Sequence, residues 1–167
     1  PNSPQMIVTR HEQNAGFLAS GIGRITGKPG VVITTSGPGA SNLATPVVTA
    51  TAEGDPMVAI SGQVQRKDLF RLTHQSMANK ELFATISKYS AEVGDAENLS
   101  EVIANAFQSA TQGKQGAAFV SIPQDVDDSV VDSPALARLA EPKLGSADKA
   151  SIAELVRRIK TAQLPVL

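Results

Sequence analysis

Cysteine and tryptophan are absent from this chain of 167 residues, and histidine occurs twice. Without cysteine there is neither a disulfide framework nor a thiolate metal site. His11 and His74 alone, with no carboxylate cluster beside them, give no ligand set, so no metal is expected within these residues. Aromatic residues are scarce at 4%, against 41% apolar residues in all. A core is therefore built from Ala, Val, Ile and Leu, which suits a sheet tightly covered by helices. Neither sign of charge is in excess: 15 basic and 16 acidic residues give a net charge of −1, no footprint for nucleic acid or an anionic membrane. No apolar run approaches the ~20 residues of a membrane span, and no basic-then-apolar start resembles a signal peptide. The lack of cysteine fits the cytoplasm. The opening Pro1-Asn2-Ser3-Pro4 and the closing Leu164-Pro165-Val166-Leu167 read as the ends of a fragment.

What is present alternates. Short β-branched runs predict strands over 6–9, 31–35, 57–61, 86–93 and 117–122, with 165–167 beginning another; helical patterns fall at 12–26, 40–52, 98–112 and 148–162. The alternation predicts an α/β fold, a parallel sheet with crossover helices on its faces. Gly27-Lys28-Pro29-Gly30 stops the first helix. Asn98 or Ser100 is placed to cap the third helix, and Gly113 ends it. Pro46 falls inside the predicted helix 40–52, where it would kink the helix or cost ~3 kcal/mol. After residue 126 the chain turns polar and proline-bearing, then becomes an amphipathic helix with Ile152, Leu155, Val156 and Ile159 on one side. This gives one domain over 1–128, a linker over 129–147, and the start of a second domain over 148–167.

Three strand ends carry polar groups, at the edge where open α/β sheets bind ligands. Met6-Ile7-Val8 runs into Arg10-His11-Glu12, which sets Glu12 at the first edge. It is either a carboxylate able to share a cofactor's proton or an acid favouring a helix dipole. Val31–Thr35 runs into Ser36-Gly37-Pro38-Gly39, either a backbone that a ligand can approach closely or an ordinary turn. It is neither a dinucleotide fingerprint nor a phosphate loop. Gln63 ends the third strand as a candidate substrate contact. His74, in the long polar loop 63–80, is either an acid, base or donor or simply a solvated histidine.

Taken in order, these segments resemble one family. Arg10-His11-Glu12-Gln13-Asn14-Ala15, Thr26-Gly27-Lys28-Pro29-Gly30, Thr35-Ser36-Gly37-Pro38-Gly39-Ala40-Ser41-Asn42-Leu43, Glu53-Gly54-Asp55-Pro56, His74-Gln75-Ser76, Thr85-Ile86-Ser87-Lys88-Tyr89 and Val120–Val126 are similar to the pyrimidine-binding domain of thiamine-diphosphate enzymes. Within that family the chain most resembles acetolactate synthases of the catabolic, acetoin-pathway type. The resemblance covers about 5–128 and continues more weakly beyond. It implies that Glu12 hydrogen-bonds N1′ of the cofactor and promotes its imino form, which leads through a carbanion and an enamine from two pyruvates to 2-acetolactate and carbon dioxide. It implies that Gly37, Pro38 and Asn42 line the pyrimidine, and that Gln63, His74 and Gln75 face the substrate region. Magnesium and the diphosphate would be held outside this stretch, since the family's Gly-Asp-Gly…Asn-Asn signature is missing from it. The active site would lie between subunits of a homodimer or homotetramer.

Departures from the family bear on this. The strand that normally precedes position 1 is absent, Pro46 stands where glycine is usual, and Lys114 stands where flavin-dependent relatives carry arginine, which argues against a need for FAD. The competing readings are a pyruvate oxidase, a 2-oxoacid decarboxylase, or a non-catalytic dimerisation module that kept the fold.

Overall fold

The computed structural model describes residues 4–132, 135–136 and 145–164. Four parallel strands make the sheet, β1 (Gly30–Thr34), β2 (Met57–Gln63), β3 (Tyr89–Glu92) and β4 (Ala117–Pro123), in the order β1-β2-β4-β3. Gly30 pairs with Met57, Met57 with Ala117, and Tyr89 with Ala118. The helices are α1 (Glu12–Thr26), α2 (Pro38–Ser41), α3 (Ala44–Glu53), α4 (Asn79–Ala84), α5 (Leu99–Thr111), α6 (Gln124–Asp127) and α7 (Lys149–Thr161). The expected α/β architecture is therefore what the chain adopts.

The period-2 alternation of the strands divides the core into two layers. Met57, Ala59, Ala117 and Phe119 face α1, α3 and α4, where they pack with Ala19, Val32, Leu43, Val47, Ala50 and Phe83. Val58, Ala118 and Val120 face the other way, onto Ala106 and Ala110 of α5 and Val126 of α6. The two aromatics of the first layer, Phe83 and Phe119, stack with ring centroids 3.8 Å apart. With alanine at so many contacts, the helices lie close to the sheet.

Two glycines of α1 show how close. Gly16, Ala19, Ser20 and Gly23 form its buried stripe. A Cβ on Gly16 would stand 2.4 Å from Cγ of Pro46, and one on Gly23 would stand 2.1 Å from the carbonyl oxygen of Pro56. The intrinsic cost of glycine in this helix, roughly 1 kcal/mol each, is offset by that approach. A polar staple joins the same elements: Asp55, 5% exposed, accepts Ser20 Oγ at 2.8 Å and Arg24 Nε at 2.9 Å.

Several expectations change. Residues 6–9 are not a strand: Met6, Ile7 and Val8 are exposed and pair with nothing in the described sheet, and an apolar run becomes a strand only where a neighbour accepts its hydrogen bonds. The predicted helix 40–52 is two helices, broken at Asn42-Leu43. Pro46 consequently falls in the first turn of α3, where its missing N–H has no partner to lose, so it neither kinks nor strains the helix. Strand 86–93 shortens to β3, and α4 lies within and beyond what reads as loop. Asn98 occupies the N-cap of α5 without a side-chain bond, while Asp148 caps α7 by accepting from Ala150 and Ser151 N–H. The expected strand 165–167, and much of the expected linker, lie outside the described residues. On β1, Val31 and Ile33 (65% exposed) face away from α1 and are not covered by any described helix. No described helix is long and apolar enough to cross a membrane.

Candidate functional site

Two elements meet at the carboxyl edge of β1. The first is the start of α1. Thr9 Oγ1 donates to the carbonyl of His11, and His11 caps the helix by accepting the Gln13 N–H on Nδ1 at 3.1 Å. Glu12 is thereby the first helical residue, half-buried, with its carboxylate beside the helix N-terminus. The second element is the turn after β1. Gly37 has φ 59° and ψ −119°, a conformation for glycine alone, and it throws Pro38 into the first position of α2. Asn42, at the end of α2, then donates from Nδ2 to Oε2 of Glu12 at 3.0 Å.

The remaining carboxylate oxygen is open on the glycine side. A Cβ on Gly39 would stand 3.5 Å from Oε1 of Glu12 and 2.6 Å from Cγ2 of Thr35, so a side chain here would fill the space in front of the carboxylate. Backbone N–H bonding at Glu12, followed by the Asn42 amide, holds the carboxyl below its usual range; partial burial opposes this, and His11 adds a smaller charge effect. Glu12 is thus an ionised, oriented carboxylate whose Oε1 lies on the side of a glycine floor. The burial that would let it hold a proton has to come from a group laid against it.

The loop after β2 closes over the turn. A Cβ on Gly37 would stand 2.8 Å from Cα of Gln75, itself at φ 63°. An αL glutamine packed on a glycine of unusual conformation marks an over-determined spot. Gln75 is half-buried there, and the neighbouring His74 is exposed.

The family described as "Thiamine pyrophosphate enzyme, N-terminal TPP binding domain" matches residues 1–82. The chain is 54% identical over 164 residues to "Acetolactate synthase" of Bacillus subtilis (strain 168), covering 98% of this chain and 29% of that protein. It is 44% identical over 165 residues to "Acetolactate synthase, catabolic" of Raoultella terrigena, covering 99% and 30%. Residues 1–82 belong to the N-terminal TPP binding domain of the thiamine pyrophosphate enzymes. A third relative, "Acetolactate synthase isozyme 1 large subunit" of Escherichia coli (strain K12), is 35% identical over 162 residues, 96% of this chain and 29% of that protein. The chain spans about three tenths of the length of these relatives.

For a thiamine pyrophosphate enzyme the expected site residues divide into two groups. Glu12, Gly37 and Asn42 come together with Gly39, and Gln75 lies against them. Pro38 sets the helix start and is itself exposed. Gln63, 4% exposed, is occupied otherwise: Nε2 donates to the Met77 carbonyl at 2.8 Å and to Glu92 at 3.2 Å, and Oε1 accepts the Val64 N–H. Ser121 Oγ donates to the same Glu92 oxygen at 3.1 Å. This Gln63–Glu92–Ser121 group ties the carboxyl ends of β2, β3 and β4, and only strand register could have shown it. Gly39 was quoted in the motif without a role, and its signal is the clash that any Cβ would make. Among the described residues no three His, Asp or Glu side chains gather as metal ligands do.

Proposed function

We propose that this chain is the aminopyrimidine-binding part of an acetolactate synthase. The whole protein would join two pyruvates into 2-acetolactate with loss of one carbon dioxide and uptake of one proton. The observation that carries the reading is the carboxylate of Glu12, held by Asn42 on Oε2 and presenting Oε1 on the Gly39 side. These residues fit one edge of an aminopyrimidine: an oriented acceptor, a floor without a side chain, and backbone that a flat ring can approach. Bound there, thiamine diphosphate would supply the electron sink that 2-oxoacid decarboxylation needs.

This chain's own work is narrower. Glu12 holds a proton at N1′ of the pyrimidine, which requires that cofactor and protein together exclude water from its carboxylate. Gly37 and Gly39 admit the ring, and the loop through His74 and Gln75 borders the substrate side. The diphosphate and magnesium are assigned to another part of the whole protein. A second subunit covers the open face of the site, and the setting is the cytoplasm. Support for the carboligase over other members of the family comes from the names of the relatives and from the breadth of the match.

The test uses the complete protein with pyruvate, thiamine diphosphate and magnesium, and no flavin. Acetolactate is read as acetoin after acid decarboxylation, with Glu12→Gln alongside. Acetoin from the native protein, cut at least a hundredfold in the variant, is the expected result. Acetaldehyde, or acetyl phosphate with peroxide, would move the protein to the decarboxylase or oxidase branch. Silence with no cofactor bound would leave a non-catalytic module.

A further inference from the structure

The two oxygens of Glu12 have different surroundings. Oε2 accepts from Asn42, and Oε1 lies over the place a Cβ of Gly39 would take. A glutamate on the first turn of a helix has three side-chain torsions; backbone N–H bonding at Glu12 and the Asn42 amide on Oε2 together limit where Oε1 stands. Asn42 is itself anchored, its N–H bonded to the Pro38 carbonyl at 3.1 Å in the last turn of α2. An amide at this position donates without bringing charge. Residues 35–42 contain no ionisable group, so the turn adds no other charge to the site. The titratable group whose charge acts on Glu12 is His11, on its own helix start, while the loop packs on Gly37 through the uncharged Gln75.

We propose that Asn42 is a positioning residue: its amide aims Oε1 of Glu12 at the ligand, so Asn42 acts on the cofactor through Glu12 and not by its own contact. This rests on the thiamine-diphosphate reading above and deepens it.

Calorimetric titration of the complete protein with thiamine diphosphate and magnesium tests it, using the native protein, Asn42→Ala, Asn42→Asp, Glu12→Gln, Glu12→Ala, and Glu12→Ala combined with Asn42→Ala. Asn42→Ala should weaken binding about three- to tenfold, the range for one hydrogen bond to a partly exposed charge. In the Glu12→Ala background, where Asn42 has no side-chain oxygen to hold, the same change should add nothing, the signature of coupling. Asn42→Asp keeps the shape and reverses the bonding: two carboxylates now face each other, binding falls, and it recovers as pH drops and a shared proton restores the donor. That recovery is beyond a merely structural role. Should Asn42→Ala fail to fold, Asn42→Asp alone carries the test. Equal losses in both backgrounds would overturn the proposal by showing direct contact, as would native binding by Asn42→Asp at every pH. If Glu12→Gln alone left binding and acetoin formation intact, the cofactor reading itself would have failed, and the proposal with it.

Discussion

Removing the Asp55 carboxylate should loosen α1 from the sheet, and the structure sets the size of the effect. Asp55 accepts Ser20 Oγ at 2.8 Å and Arg24 Nε at 2.9 Å, with the aspartate buried and the arginine side chain 57% exposed. In Asp55→Ala the arginine re-enters water, so the ion pair contributes under about 1 kcal/mol. The larger loss is at Ser20, 4% exposed, whose hydroxyl is left without this acceptor at about 1–3 kcal/mol. The sum is about 1–4 kcal/mol. Hydrogen exchange of the α1 amides in the complete protein isolates this local opening from other domains. A loss of that size appears as a fall in protection of about 5- to 1,000-fold. Arg24→Ala should lower protection by no more than about fivefold on the same arithmetic. If Arg24→Ala matched Asp55→Ala, the exposed ion pair and not the buried hydroxyl would be holding the helix, and the reasoning would be refuted.

Other expectations concern the glycine floor, the stacked core and acid. Gly39→Ala should fold, since Thr35 is exposed and can turn its Cγ2 away, yet bind thiamine diphosphate at least tenfold more weakly, as calorimetry would show. Native affinity in that variant would mean the ring does not approach there. Phe83→Ala removes one ring of the buried stack and should cost about 3–5 kcal/mol, visible as a lower urea midpoint. Asp55 has its carboxyl lowered, chiefly by the Arg24 hydrogen bond and then by that from Ser20, against desolvation. Its contribution is therefore full above the unfolded value of about 3.9 and is lost as pH falls through the lower folded value. Protection of α1 in native protein should decline in that acid window, and the decline should be smaller in Asp55→Asn.

The sequence announced the sheet through its short branched runs, and the site through Glu12 and the Ser36–Asn42 turn, because local chemistry decides both. Helix breaks were less visible. The pattern over 40–52 stays apolar through Asn42-Leu43, and only the position of Pro46 hinted that a new helix begins there. Helix α4 has six residues, too few for a period to register, so it merged with the loop before it. Met6-Ile7-Val8 misled for the opposite reason, as the run has strand chemistry and no described neighbour. Glu92 could not be foreseen as a partner of Gln63, since that contact follows from β3 and β2 both lying beside β4. Pairing, whether of strands or of side chains distant in sequence, was the information least accessible from the residues.

The strand order carries a consequence for synthesis. Met57 pairs with Gly30 on one side and with Ala117 on the other, sixty residues later. As the chain leaves the ribosome, β1 and β2 can join early, but the second edge of β2 stays open until β4 has emerged. At roughly 5–20 residues per second that wait is about 3–12 s. Throughout it β3, which hydrogen-bonds only to β4 within the described sheet, has no place to dock. The last-made strand is therefore the wedge that completes the sheet, and any pause in translation before residue 117 leaves a nascent chain with a bare apolar edge for chaperones to guard.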